Sequence, residues 1–149
     1  MASPLPAIDA APGPASRCVV FFDGECGLCQ GFVRFLVRRD RAGKHFLFSP
    51  LKGRLITQLL DEPTRSGLPD SVVLRMPDGA IRTRSESILE SLERLGCFWW
   101  FVAMVGRIVP LRVRDAVYDY VARTRRRVFG RTHYHCPVVP AHLRDRFVD

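Results

Sequence analysis

The run Cys18-Val19-Val20-Phe21-Phe22-Asp23-Gly24-Glu25-Cys26-Gly27-Leu28-Cys29 decides how this chain folds. Its first five residues are apolar and mostly β-branched or aromatic, the composition of a short strand buried on both faces. Asp23-Gly24 stops the strand. From Gly27 to Arg39 the period becomes helical: Cys29, Phe32, Val33, Leu36 and Val37 share one face, and Gln30, Arg34 and Arg38 lie opposite. Two cysteines three positions apart therefore stand at a strand-to-helix junction, where dithiol chemistry is favoured. Cys26 precedes the first helical turn, whose unpaired N–H groups and dipole favour an anion. Thiolate is the form that attacks a disulfide. Cys29 lies one turn in, on the core face, within reach of a mixed disulfide on Cys26. The spacing predicts Cys26 as nucleophile and Cys29 as resolving thiol. Gly27 permits close approach of a substrate, and Leu28 forms an apolar rim beside the sulfur. Asp23 is read in two ways, as a proton acceptor for the resolving thiol or as a cap of the turn, because both uses need a carboxylate there.

Outward from this run, His45 to Phe48 is a strand stopped by Ser49-Pro50, and Arg54 to Leu60 is a short helix ended by Asp61-Glu62-Pro63. Ser71 to Met76 and Ala80 to Arg84 form a hairpin about Pro77-Asp78-Gly79. Ser85 is placed to cap a helix from Glu86 to Leu95, closed by Gly96. Two further helices follow, Phe98 to Val109 and, after Pro110, Arg112 to Arg123, the latter with Val113, Val117, Tyr120 and Val121 on one side. The order strand, helix, strand, helix, strand, strand, helix is that of the thioredoxin fold. The expected architecture is α/β, a central mixed four-stranded sheet flanked by helices, with a helical C-terminal extension. One domain is expected over 17–137, its extension starting at about 97, between a Pro-rich flexible leader at 1–16 and a tail at 138–149.

The chain has 149 residues, 47% hydrophobic and 26% charged, enough for one real core. Its five cysteines are too few for a disulfide-built scaffold and odd in number. The N-terminal stretch lacks the basic start and apolar run of a signal peptide. The apolar run Phe98 to Val105 is far short of the about 20 residues a membrane span needs. A cytoplasmic location follows as the expectation. That same run reads first as a helix buried in the domain and second as a membrane-surface contact. Net charge is +8, and Arg107 to Arg131 holds eight arginines against Asp115 and Asp119. A solvated basic face that steers an acidic partner is favoured over a nucleic-acid patch, since no nucleic-acid motif accompanies it.

Besides a redox dithiol, two readings of the cysteine pair remain. It can be half of a zinc site completed from His133, His135 and Cys136, or a pair of structural cysteines. A second Cys-X-X-Cys would have favoured zinc, and there is none. Cys136 is read as a third thiol near the pair, and Cys18 and Cys97 as core residues. No metal and no tightly bound cofactor are expected.

Three blocks of sequence resemble the DCC family of thiol-disulfide oxidoreductases, named for an Asp and two Cys that match Asp23, Cys26 and Cys29. The first is Val20 to Cys29. The second is Arg84-Ser85-Glu86-Ser87, similar to the family's Arg-Ser-Asp-Ala. The third runs from Pro110 to Arg125, with Phe129-Gly130 and Cys136. The likeness covers nearly everything from Cys18 to Pro137. It implies a thioredoxin-like fold with Cys26 and Cys29 as the redox centre, acting on disulfides of proteins or low-molecular-weight thiols; it names no substrate. Thioredoxin-like proteins carry a cis-proline before the third strand. Here that position falls on Ser71, with Pro69 two residues early, and a cis bond before a non-proline costs about 3 kcal/mol. Ser71 is therefore expected to be trans and to join Gly27 and Leu28 in a substrate contact unlike thioredoxin's.

Overall fold

The structure is a computed structural model and describes residues 16–69, 72–128 and 141–148. Strand β1 (Cys18–Phe22) is buried along its whole length at the middle of a four-stranded sheet ordered β2-β1-β3-β4. It pairs in parallel with β2 (Phe46–Pro50) and antiparallel with β3 (Val73–Arg75), which pairs antiparallel with β4 (Ile81–Thr83). This is the mixed sheet of the thioredoxin-like fold. The two-residue period of β1 divides the core. Cys18, Val20 and Phe22 pack with Phe46, Phe48 and Leu74 against Cys29, Val33 and Leu36 of helix α1 (Gly27–Arg39). On the opposite face Val19 and Phe21 pack with Leu47 and Val73 against Ile56 of α2 (Arg54–Leu59) and Leu60.

Three local readings change. Asp61-Glu62-Pro63 ends one helix but begins another, α3 (Glu62–Ser66), because proline suits the first helical turn, where no N–H is needed. The next helix, α4 (Arg84–Leu95), starts one residue before Ser85, with Thr83 at the cap position. Ser85 is buried and its hydroxyl is turned to Asp115 instead of to the helix backbone. Arg84 takes a left-handed φ of 53°, a sparsely populated conformation for an L residue, in the tight passage from β4 to α4.

The extension is α5 (Cys97–Ile108) and α6 (Leu111–Val128). Leu89 and Leu92 of α4 meet Ala103 of α5, and Gly106 lets the helices approach closely: a Cβ there would stand 2.8 Å from Leu89 Cδ2, so that side chain would have to shift. Trp99 of α5 packs edge-on to Phe35 of α1 at 4.8 Å. The rest of α5 departs from expectation. Phe98 is 66% and Ile108 80% exposed, and Trp100, Phe101, Met104 and Val105 lie beside them, so only one stripe of this apolar helix is buried. Tyr120, expected in the core, is 68% exposed, and Cys97 is exposed at the α4–α5 corner. An all-round apolar helix with one neighbouring layer can bury only the stripe facing that layer. No helix among the described residues is long and apolar enough to cross a membrane.

Residues 141–148, within the stretch read as a tail, lie against the sheet. A 3₁₀ turn (Ala141–Arg146) leads to Phe147, which bridges Phe48 on the open edge of β2, and Val148 N–H donates to Phe48 O at 2.9 Å. Arg146 is buried. Its Nη2 bonds Asp40 Oδ2 at 3.0 Å and its Nη1 the Asp40 carbonyl at 2.8 Å, while the same carboxylate accepts the amides of Lys44, His45 and Phe46. Burial lowers the Arg146 pKa against the opposing pull of Asp40. Arg146→Ala would leave a buried carboxylate without its cation, at a cost of about 3–5 kcal/mol. Urea unfolding should show a clearly lower midpoint; a loss below about 1 kcal/mol would mean that this end of the chain contributes little.

Candidate active site

The end of β1 and the head of α1 hold the cysteine pair by backbone bonds. Asp23 Oδ1 accepts the Glu25 N–H at 3.0 Å, an Asx turn, and the Asp23 carbonyl accepts the Cys26 N–H at 3.2 Å. Gln30, buried on the first turn of α1, donates its side-chain amide to Gly24 O and locks the turn to the helix. Cys26 occupies the N-cap in extended conformation, and its sulfur accepts the Cys29 N–H at 3.4 Å. The sulfur thus serves as the cap acceptor, a role that favours its anion. Both thiols are free and nearly covered, at 6% exposure for Cys26 and 4% for Cys29.

The two thiols are driven in opposite directions. Cys26 is lowered to about 6, chiefly by the hydrogen bond from the Cys29 thiol, then by the Cys29 amide, Arg125 and the Leu28 amide, all working against burial. Cys29 is raised, first by that same bond, then by burial and by the negative charge of Cys26, with Arg125 acting against the rise. The proton therefore belongs to Cys29 and the charge to Cys26. Without the negative charge on Cys26, two of the three causes that hold the proton on Cys29 fall away. Burial remains to oppose ionisation and Arg125 to favour it.

Arg125 is the site residue that sequence reasoning missed. It comes from α6, nearly a hundred residues along the chain, and is buried behind the pair. Its Nη1 lies 3.3 Å from Cys29 Sγ and its Nη2 3.8 Å from Asp23 Oδ2. Within a run of arginines nothing marks one of them as internal. The available signal was helical spacing, since Arg114, Tyr118, Ala122 and Arg125 fall on one stripe of α6. That stripe is fixed by the second block of the resemblance, Arg84 to Ser87. Ser85 Oγ lies 2.6 Å from Asp115 Oδ1, Glu86 pairs with Arg114 at 2.9 Å and with Arg107 at 3.1 Å, and Arg84 pairs with Asp119 at 3.6 Å. Burial opposes ionisation of Glu86, but the two arginines outweigh it and hold its carboxyl below the ordinary range. Ser87 Oγ stands 2.7 Å from Arg84 O and 3.3 Å from Val72 O, tying α4 to the chain entering β3. Arg114 and Arg125 are thus engaged inside the protein and the part-exposed Arg107 is ion-paired, while Arg112, Arg123 and Arg127 remain exposed, so only part of the basic stretch is a solvated face.

Gly27 and Leu28 lie half-buried at the head of α1, beside the pair. Ser71, Cys136, His133 and His135 lie outside the described residues. Among the described residues no cluster of three or more His, Cys, Asp or Glu side chains is placed to hold a metal.

A thioredoxin-like sheet with a dithiol at the head of its first helix defines the class, the thiol–disulfide proteins of that fold. The chain belongs to the DCC1-like thiol-disulfide oxidoreductase family, whose model matches residues 20–131. It is 33% identical over 134 residues to the uncharacterized protein YuxK of Bacillus subtilis (strain 168), covering 87% of this chain and 93% of that one. It is 30% identical over 116 residues to a DCC family protein of Arabidopsis thaliana described as chloroplastic, covering 78% and 67%. No solved structure matches the chain.

Proposed function

We propose that this protein catalyses thiol–disulfide exchange on protein or low-molecular-weight disulfides, with Cys26 as nucleophile and Cys29 as resolving thiol. The observation that carries this reading is the buried Arg125 guanidinium against Cys29, behind a Cys26 sulfur that caps α1. The Cys26 thiolate attacks one sulfur of the substrate, forming a Cys26–substrate disulfide and expelling the other sulfur as thiolate. Cys29 gives up its proton, attacks Cys26 Sγ and releases the second substrate thiol. The substrate gains two electrons and the pair closes as a disulfide, which an external dithiol reopens. Asp23 holds the turn and Arg125; it is also the carboxylate to which the Cys29 proton would pass.

No resident cofactor is needed for these steps. The compartment proposed with the reaction is the reducing cytoplasm, where a dithiol is kept reduced between turnovers. The exposed Arg112, Arg123 and Arg127 favour an acidic partner and raise its encounter rate. Dithiothreitol-coupled insulin reduction, with elemental analysis of protein purified without chelator, tests the reading. Activity that requires Cys26 supports it; stoichiometric zinc lost in Cys26→Ser would replace it with a metal-binding module.

A further inference from the structure

Between α1, α4, α5 and α6 lies a cavity of about 520 Å³ that reaches Cys29, the more buried member of the redox pair. Leu28 and Cys29 form its floor, and Ile88, Val117, Val121 and Ala122 stand among its walls. Ligand clefts begin at about 300 Å³ and are mostly apolar with a few placed polar groups, and this cavity fits that description. Its walls are almost wholly apolar. The polar groups that line it include two guanidinium groups, those of Arg114 and Arg125, and no carboxylate. Arg114 spends Nη2 on Glu86, while its Nε and Nη1 are buried and find no acceptor among the described residues. Such unmet donors are costly unless something supplies an acceptor.

Position decides what enters. A disulfide undergoing exchange must bring its sulfur to Cys26 and leave room for Cys29 to follow, so the group carried by that sulfur has to lie beside the pair. The cavity with Cys29 in its floor is the space adjoining it.

We propose that this cavity takes the flank of the substrate, and that the preferred substrates are disulfides whose sulfur carries a bulky apolar group ending in a carboxylate. This rests on the exchange reaction at Cys26 described above. The apolar body replaces water against Val117, Val121 and Ala122, and the carboxylate supplies the acceptor that the buried Nε and Nη1 of Arg114 lack, reached by a turn of that side chain towards the cavity. A small aromatic disulfide and a peptide with an apolar C-terminal residue share this chemistry.

The test uses full-length Cys29→Ser protein, which traps the mixed disulfide on Cys26. It is equilibrated with the disulfides and a fixed ratio of two thiols, 4-carboxybenzyl thiol and 2-hydroxyethanethiol, and the adduct on Cys26 is read by peptide mapping. Exchange of one adduct for the other swaps a thiol for a thiol with no net oxidation, so the ratio reports binding of the flank alone. The carboxybenzyl adduct should be favoured by at least about tenfold, and plain benzyl thiol should fall between the two. The preference should drop below about twofold in Ala122→Trp, which fills the cavity, and in Val121→Glu, which charges its half-exposed rim. Adducts without preference in the parent, or a preference that survives both variants, overturn the inference alone. No adduct with any thiol overturns the exchange reaction and this inference with it. A parallel arm with two cystine-linked peptides, one ending in phenylalanine and one in serine, assigns the same preference to peptide or small-molecule substrates.

Discussion

Replacing Cys26 by serine should abolish the proposed reduction of insulin by dithiothreitol above the uncatalysed background, a loss on the order of a hundredfold or more. Serine keeps the size and the N-cap hydrogen bond, so α1 should form as before. It removes the only group at the cap able to be an anion near neutral pH. Cys29 cannot take over, because it is buried in the core cluster and its thiol is pushed up by burial even without a Cys26 charge. Cys29→Ser should behave differently. Its first attack survives, and the protein accumulates as a stable mixed disulfide on Cys26, visible as an added mass. Equal insulin turnover in wild type and Cys26→Ser would remove the pair from the chemistry.

The second large effect is expected at Arg125. Arg125→Met keeps much of the volume and removes the charge. Two consequences follow from its two contacts. The Cys26 thiolate loses one of its stabilising causes, so its pKa should rise above 6. Asp23 keeps the Glu25 amide on Oδ1 but loses the guanidinium that faces Oδ2, at a cost of about 1–3 kcal/mol. The resolving step should suffer more than the attack, since Arg125 is what favours ionisation of Cys29 once Cys26 is no longer charged. Stopped-flow mixing with a disulfide peptide separates the steps: a small loss in the first phase and a larger one in the second. Arg125→Lys should restore part of the second phase by returning the charge. A variant with an unchanged second phase and only a lower melting temperature would reduce Arg125 to a structural role.

Much of this was legible in the chain, for physical reasons. The five residues of β1 are apolar without a break because the strand is covered on both sides, and this marks a central strand from sequence alone. The change from an unbroken apolar run to a helical period at Gly27 placed both cysteines, and the local geometry of a helix start is the ground for the roles proposed for them. The hairpin was signalled by Asp78-Gly79, where Gly79 indeed takes a φ of 91° and Asp78 Oδ1 accepts the Ala80 amide. Long-range matters were hidden. Ser85 carries a good capping signature, but a buried partner 30 residues away, Asp115, competes for its hydroxyl and wins. Arg125 is one arginine in a basic run, and only the docking of α6 on α4 turns it inward. The apolar sequence of α5 describes what could be buried, and how much of it is covered depends on how many neighbours the fold supplies. Asp40 and Arg146 lie 106 residues apart, and no local pattern links them.

Everything proposed for the pair rests on Cys26 being ionised at neutral pH, held so chiefly by the hydrogen bond from the Cys29 thiol and further by the amides at the head of α1. The rate of its reaction with iodoacetamide, followed by mapping alkylated Cys26 as a function of pH, measures this directly. Only the deprotonated sulfur reacts, so a lowered pKa moves the rise in rate to lower pH. The account predicts a rate that rises through a midpoint near 6 and is nearly flat above 7. A midpoint near the ordinary cysteine value of about 8.5 would contradict it.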